Sequence, residues 1–194
     1  MIRFFDLLIS ITGILIFSPV ILIISLIIPV ESKGGVFFTQ PRVGKNGKIF
    51  TIYKFRTMVI NYPKKLLLTT DNDTRITRMG LFLRSKKLDE LPQLFNVIKG
   101  EMSIVGPRPE VPEYVNYYSP EQKEILKVKP GITDLASIEF SNESELLTEL
   151  DNPEKYYIEN IIPQKIDLNM EYIRNRSLKN YFRIIFQTLK TILK

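Results

Sequence analysis

The 194-residue chain contains no histidine, no cysteine and no tryptophan. Without cysteine there is no disulfide and no thiolate-bound zinc. Without histidine there is no Ser-His-Asp or Cys-His catalytic pair and no imidazole-bound metal. Any chemistry must run on carboxylates, arginines, lysines or a hard cation held by oxygen, such as Mg²⁺. Acidic residues are also missing locally: between Ser32 and Thr70 there are eight basic residues (Lys33, Arg42, Lys45, Lys48, Lys54, Arg56, Lys64, Lys65) and no acid. The whole chain carries a net charge of +6 and a pI of about 9.4, which favours anionic partners. No nucleic-acid motif accompanies the charge, so nucleic acid is not expected as the partner. The basic block directly adjoins an apolar segment, where it would meet anionic lipid.

That segment, residues 7–30, lacks any charge and as a helix would be about 36 Å long, enough to cross a bilayer. It is a poor secretory signal, with Arg3 alone beside Asp6 and no small-residue cleavage site at Val30-Glu31-Ser32. Pro19 removes a backbone hydrogen bond near its middle and Ser18 offers a replacement partner, so a kink is expected there. Pro29 marks the end. Two topologies stay open: a spanning anchor, or a helix that enters the membrane, breaks at Ser18-Pro19 and leaves by the same face. The basic residues from Lys33 onward place the remainder of the chain on the cytoplasmic side.

Residues 36–40 and 48–55 read as strands joined through Asn46-Gly47, a strong hairpin signal, and the second run has apolar residues on both faces. Residues 71–74 offer caps for a helix over 75–84, in which Gly80 permits close packing. Pro92 suits the first turn of a helix over 92–99 ended by Gly100. Ser119-Pro120-Glu121-Gln122 reads as a capping box, and Asn152-Pro153 opens another helix that Pro163 interrupts. Residues 178–194 place Leu178, Tyr181, Phe182, Ile185, Leu189, Ile192 and Leu193 on one face and basic residues on the other. This helix packs on the core or lies in a lipid interface. The fold class predicted is α+β and mostly helical, with a small hairpin.

The richest stretch is 84–110, with Asp89-Glu90-Leu91-Pro92-Gln93 inside it and Arg84 and Arg108 flanking. A carboxylate is ionised at neutral pH and needs no partner base to act as a nucleophile; its difficulty is approaching an anionic phosphate. Three devices would help: the amino end of the helix near Pro92, forked donors from Arg84 and Arg108, and Mg²⁺ held by Glu90. Pro107 and Pro109 would hold Arg108 at little entropic cost. Taken singly, Asp89-Glu90 is equally a helix cap or dipole partner with Arg84 paired to it. The residues alone also fit a non-catalytic membrane adaptor.

Run 84–110 closely resembles the core of bacterial polyprenyl-phosphate phosphoglycosyl transferases, the monotopic sugar-transferase family. The resemblance extends through Ser18-Pro19, Phe38-Thr39-Gln40, Tyr53-Lys54-Phe55-Arg56-Thr57-Met58, residues 73–80 with Leu83-Arg84, and Lys129-Pro130-Gly131-Ile132-Thr133. It implies a minimal family member, with a re-entrant membrane helix at 1–32 and a cytosolic catalytic domain at 33–194 ringed by interfacial amphipathic helices. It implies transfer of sugar-1-phosphate from a UDP-sugar to undecaprenyl phosphate with release of UMP, at the cytoplasmic face of the bacterial inner membrane. Asp89 would form a covalent phosphosugar intermediate. Glu90 would hold Mg²⁺ or assist attack by the lipid phosphate, and Lys54, Arg84 and Arg108 would bind phosphate. Bacterial membrane lipids are partners on this reading, and a homodimer is compatible with it. An N-acetylated donor is usual for small members. The chain departs from the family pattern at Asp134-Leu135-Ala136-Ser137-Ile138-Glu139-Phe140-Ser141, where an arginine expected near Ser141 is absent.

Overall fold

The computed structural model describes residues 1–60, 68 and 73–193. Lys64 and Lys65 of the basic block, Asp71 and Asn72 of the predicted cap, and Lys194 lie outside the described residues. A long helix α1 (Ile2–Glu31) precedes a hairpin, β1 (Phe37–Val43) and β2 (Ile49–Phe55). Then come α2 (Arg78–Ser85), a 3-10 turn (Leu88–Glu90), α3 (Gln93–Lys99), β3 (Ser103–Val105) and α4 (Pro112–Val115). A second 3-10 turn (Gln122–Lys127) leads to β4 (Gly131–Thr133), α5 (Leu135–Glu139), α6 (Glu143–Thr148), α7 (Pro153–Tyr156), α8 (Ile162–Arg174) and α9 (Leu178–Ile192). The architecture is α+β and mostly helical.

Among the described residues, α1 is the one helix long and apolar enough to cross a membrane. Pro19 has no N–H for the carbonyl of Leu15, four residues back, and Ser18 Oγ donates to that oxygen at 2.8 Å. The substitution is local and complete, so the helix is continuous through Ser18-Pro19; the expected break is not a break in helical backbone. Pro29 likewise lies inside the helix. Both ends of α1 are fastened to the rest of the chain. At its start, Arg3 donates to the carbonyls of Val97 and Ile98 at the carboxyl end of α3, 2.6 and 3.0 Å away. Asp6 is buried and accepts from Ser103 Oγ, the Ile104 amide and Tyr181 OH at 2.8, 2.9 and 3.0 Å. At its end, Ile24 and Ile28 pack with Phe55 and Leu83, while Arg56 Nη2 donates to the Ser32 carbonyl at 2.8 Å. Between these anchors, residues 11–23 include no buried side chain.

The hairpin pairs Phe37 with Phe55 through Val43 with Ile49, and Asn46 (φ 57°) and Gly47 (φ 74°) supply the left-handed turn. β2 is not buried on both faces as its composition suggested. Phe50 and Ile52 face inward, near Leu94 and Val97 of α3, and on the opposite face Ile49 and Thr51 are exposed, so that second face is covered only at its end, where Phe55 packs against Ile24, Ile28 and Leu83. The cap of α2 moves downstream of the predicted site: Thr77 accepts from the Gly80 amide at 2.9 Å, while Ile76 forms a β-bridge with Met58. A Cβ on Gly80 would lie 2.2 Å from the Thr57 carbonyl, so this helix requires glycine to sit against that strand exit.

β3 and β4 form a parallel pair that the sequence pattern did not predict. A Cβ on Gly131 would lie 2.1 Å from the Gly106 amide nitrogen, which explains the glycine in the Lys129–Thr133 run. Ser119 and Gln122 exchange capping bonds as expected, at 2.9 and 3.2 Å. Asn152 caps α7 through the Lys155 amide. Pro163 does not end that helical run: a π-helical turn (Tyr157–Ile161) links α7 to α8, and Pro163 falls at the start of α8, where no donor is needed. α9 packs through Tyr181 and Ile184, with Phe182 and Ile185 at the margin, and leaves Phe186, Leu189 and Leu193 exposed.

Candidate active site

Asp89 and Glu90 sit in the 3-10 turn that runs into α3, and their side chains meet different surroundings. Glu90 Oε1 accepts from Lys54 Nζ and from Arg108 Nη2, each at 2.7 Å. Although burial opposes its charge, Arg108 and Lys54 outweigh that and hold the Glu90 carboxyl well below the usual carboxylate range. Its charge in turn raises the Arg108 guanidinium further, whereas burial pulls Lys54 down in spite of the pair.

Asp89 is 7% exposed, and its Oδ1 is buried with no hydrogen-bond partner among the described residues. Burial raises its pKa, with Glu90 adding to the rise and Lys54, Arg84 and Arg108 opposing it. It is a carboxylate kept close to cations but given no proton donor, a poor arrangement for stability and a good one for a nucleophile. Arg84 does not pair with either acid; its Nε donates to Thr57 Oγ1 at 2.9 Å, and burial lowers its pKa. At the amino end of α3, the amides of Glu90, Leu91, Leu94 and Phe95 donate to the carbonyls of Lys87, Leu88, Leu91 and Pro92, which narrows the helix-tip device to the amide of Gln93.

The Pro107-Arg108-Pro109 loop leaves β3 and is tied at each residue. The Pro107 carbonyl accepts from the Gly131 amide at 2.9 Å, the Arg108 amide donates to Asp134 Oδ2 at 2.7 Å, and the Pro109 carbonyl accepts from Arg42 Nη1 at 3.0 Å. Because β3 and β4 are parallel, both chains leave the pair at the same end, which puts Asp134 under Arg108. The structure thus brings Lys54, Asp89, Glu90 and Arg108 together, with Arg84 close enough to act on Asp89. Ser18 and Pro19 serve the helix instead.

The sequence pattern of the bacterial sugar transferase family matches residues 1–194. The chain belongs to that family. A UDP-glucose:undecaprenyl-phosphate glucose-1-phosphate transferase of Klebsiella pneumoniae is 40% identical over 192 residues, covering 96% of this chain and 39% of its own length. A UDP-N-acetylgalactosamine-undecaprenyl-phosphate N-acetylgalactosaminephosphotransferase of Aeromonas hydrophila is 37% identical, over 98% of this chain and 43% of its own. An undecaprenyl-phosphate galactose phosphotransferase of Salmonella typhimurium is 37% identical, over 99% of this chain and 40% of its own. The chain spans about two fifths of the length of these relatives.

Among the described residues of this family member, no group of three or more potential ligands could hold a metal by protein atoms alone. The donor set suits instead a cation that arrives with a diphosphate. Asp89 Oδ1 has no partner, and Glu90 Oε2 has one long contact, to Arg108 Nη1 at 3.5 Å. Mg²⁺ is commonly held by one or two carboxylates together with substrate phosphates. Three residues that shape the site were not singled out by the sequence. Asp134 stood out only as a departure from the family pattern, Arg42 only as one of a basic block, and Asn169 not at all. Asn169 Nδ2 donates to Asp134 Oδ2 at 3.0 Å.

Proposed function

We propose that this sugar transferase moves sugar-1-phosphate from a UDP-sugar to undecaprenyl phosphate, releasing UMP, through an ester on Asp89. The observation that carries the reading is the buried, unpartnered Asp89 Oδ1 beside a Glu90 clamped by Lys54 and Arg108. In the first step Asp89 Oδ1 bonds to the phosphorus attached to the sugar, and the bond from that phosphorus to the bridging oxygen breaks, so UMP leaves with the electron pair. In the second step an oxygen of the lipid phosphate bonds to the same phosphorus and the Asp89 ester bond breaks, giving the lipid diphosphate sugar and a free carboxylate. Neither step requires a proton from Asp89, which fits a site without histidine.

Arg84 and the outward part of Arg108 are the forked donors for phosphate oxygens; the Arg108 side chain is 39% exposed and reachable. Lys54 keeps Glu90 ionised and adds positive charge near Asp89. Mg²⁺, held by Glu90 with a free Asp89 oxygen near, would neutralise the diphosphate. The relatives' names, which pair undecaprenyl phosphate with glucose, galactose or N-acetylgalactosamine donors, support the lipid acceptor and leave the sugar to experiment.

The re-entrant topology belongs to the same proposal. Its support is that Arg3 and Asp6 at one end of α1, and Ile24 to Ser32 at the other, are held by the same body, while residues 11–23 between them touch it only along one side, through Gly13, Ile14, Val20 and Ile21, and leave the other side exposed. A spanning helix would separate its two ends by the bilayer. The basic residues beyond Lys33 then favour the cytoplasmic face for the site.

The test is a panel of UDP-sugars with undecaprenyl phosphate and Mg²⁺, reading UMP release. One donor or a few should give turnover, and omission of the lipid should leave a phosphosugar mass on the protein. No UMP from any donor would reject the transferase reading. Turnover without a trappable adduct would reject the Asp89 ester.

A further inference from the structure

Arg108 stands between two prolines, so its own amide is the only backbone N–H that residues 107–109 possess. Pro109 restricts the backbone of Arg108 on one side, yet nothing in the triplet itself fixes the rotation that aims its side chain. That single N–H donates to Asp134 Oδ2 at 2.7 Å. Asp134 is fully buried, and its other bonds fix it in turn. Asn169 Nδ2 from α8 donates to the same oxygen at 3.0 Å, and the Ser137 amide donates to Oδ1 as the cap of α5. A buried carboxylate with three donors, two of them backbone, is a rigid fixture rather than a mobile charge. The flanking carbonyls of Pro107 and Pro109 are separately tied by Gly131 and Arg42.

We infer that Asp134 is a positioning residue, which with Asn169 presets the Arg108 backbone so that its guanidinium bridges Glu90 and the donor's diphosphate. The inference rests on the proposed role of Arg108 as a phosphate ligand. It ties α5 and α8, far from the Asp-Glu pair in sequence, to the precision of phosphate binding. Asp134 touches neither substrate nor the reacting atoms.

The experiment is a double-mutant cycle of Asp134→Asn with Arg108→Ala in the full chain, read first as UDP affinity by calorimetry. Asparagine keeps the size of the side chain and can still cap α5, but it cannot offer acceptors to all three donors. In the presence of Arg108, Asp134→Asn should weaken UDP binding about tenfold, and in the Arg108→Ala background less than about twofold, which is the coupling expected when one residue acts through another. The same pattern is expected in kcat/KM for the donor found active, with the thermal midpoint moving equally in both backgrounds. Equal losses of affinity with and without Arg108 would overturn the inference and leave Asp134 as a fold residue. If Arg108→Ala itself leaves UDP affinity unchanged, the phosphate role of Arg108 is what fails. Should Asp134→Asn not fold, Asn169→Ala runs the same cycle: a loss confined to chains with Arg108 supports the positioning role, and a background-independent loss refutes it.

Discussion

Asp6 and Asp89 are both buried carboxylates, 2% and 7% exposed, in two regions with opposite treatment of the charge. At the foot of α1, Asp6 meets a serine hydroxyl, a backbone amide and a tyrosine hydroxyl within 3.0 Å. In the turn before α3, Asp89 Oδ1 meets no donor, and the cations around it are committed to Glu90 or Thr57. Folding satisfies a carboxylate when its task is to hold an element in place. It leaves the other unsatisfied, a cost to stability that other contacts offset and that the proposed role of Asp89 as nucleophile would account for.

The comparison is broken most directly at Asp89. Asp89→Asn should reduce turnover by about a thousandfold or more, since the nucleophile is removed, with folding and membrane association unchanged. Its thermal midpoint should equal or exceed that of the parent at neutral pH. The sign comes from the raised pKa: the folded state binds this proton more tightly than the unfolded state. Stability therefore falls as pH rises from the ordinary aspartate value through the raised one, and stays lower above it. Activity runs the other way, rising with pH through the raised Asp89 pKa. A clearly lowered midpoint in Asp89→Asn would show that the carboxylate is structural after all.

Asp6→Ala comes next. It strands the Ser103 hydroxyl, the Ile104 amide and the Tyr181 hydroxyl, and should cost about 3 kcal/mol by denaturant titration. The protein that remains folded should keep the parental kcat. Glu90→Gln removes the negative charge shared by Lys54 and Arg108, with an expected cost of about 2 kcal/mol after allowance for the exposed part of Arg108. Because the Glu90 pKa is lowered, this contribution is present above the unfolded glutamate value and is lost as pH falls through the lowered one. The difference in midpoint between parent and Glu90→Gln should accordingly shrink in acid. At the small end, Glu124→Gln breaks the exposed pair with Lys127 and should change stability by less than about 0.5 kcal/mol. A larger effect there would mean that burial is not what separates these carboxylates.

Much of the local structure was legible because its causes lie within four residues. Pro19 and Ser18 settle the Leu15 carbonyl between them, Asn46-Gly47 sets the hairpin turn, and Gly100 ends α3 in the left-handed conformation. Other features were not legible. β3 and β4 are three residues each, too short for a periodic signal, and their pairing depends on a glycine contact between distant segments. The buried face of α9 was shifted, with Ile184 inside and Leu189 outside, because the bond from Tyr181 to Asp6 fixes which side of the helix meets the core. The widened turn before Pro163 escaped notice because proline is ambiguous between stopping a helix and starting one.

By itself the sequence determined which groups are available: with no imidazole and no thiol, adjacent carboxylates, lysine and arginines had to do any chemistry, and the apolar run had to meet lipid or core. Only the tertiary structure decided that Glu90 takes the cations and Asp89 goes without a donor, and that Asp134 and Asn169 stand behind Arg108. Neighbouring residues share a sequence context but not a solvation environment, and a charge is worth what surrounds it in space.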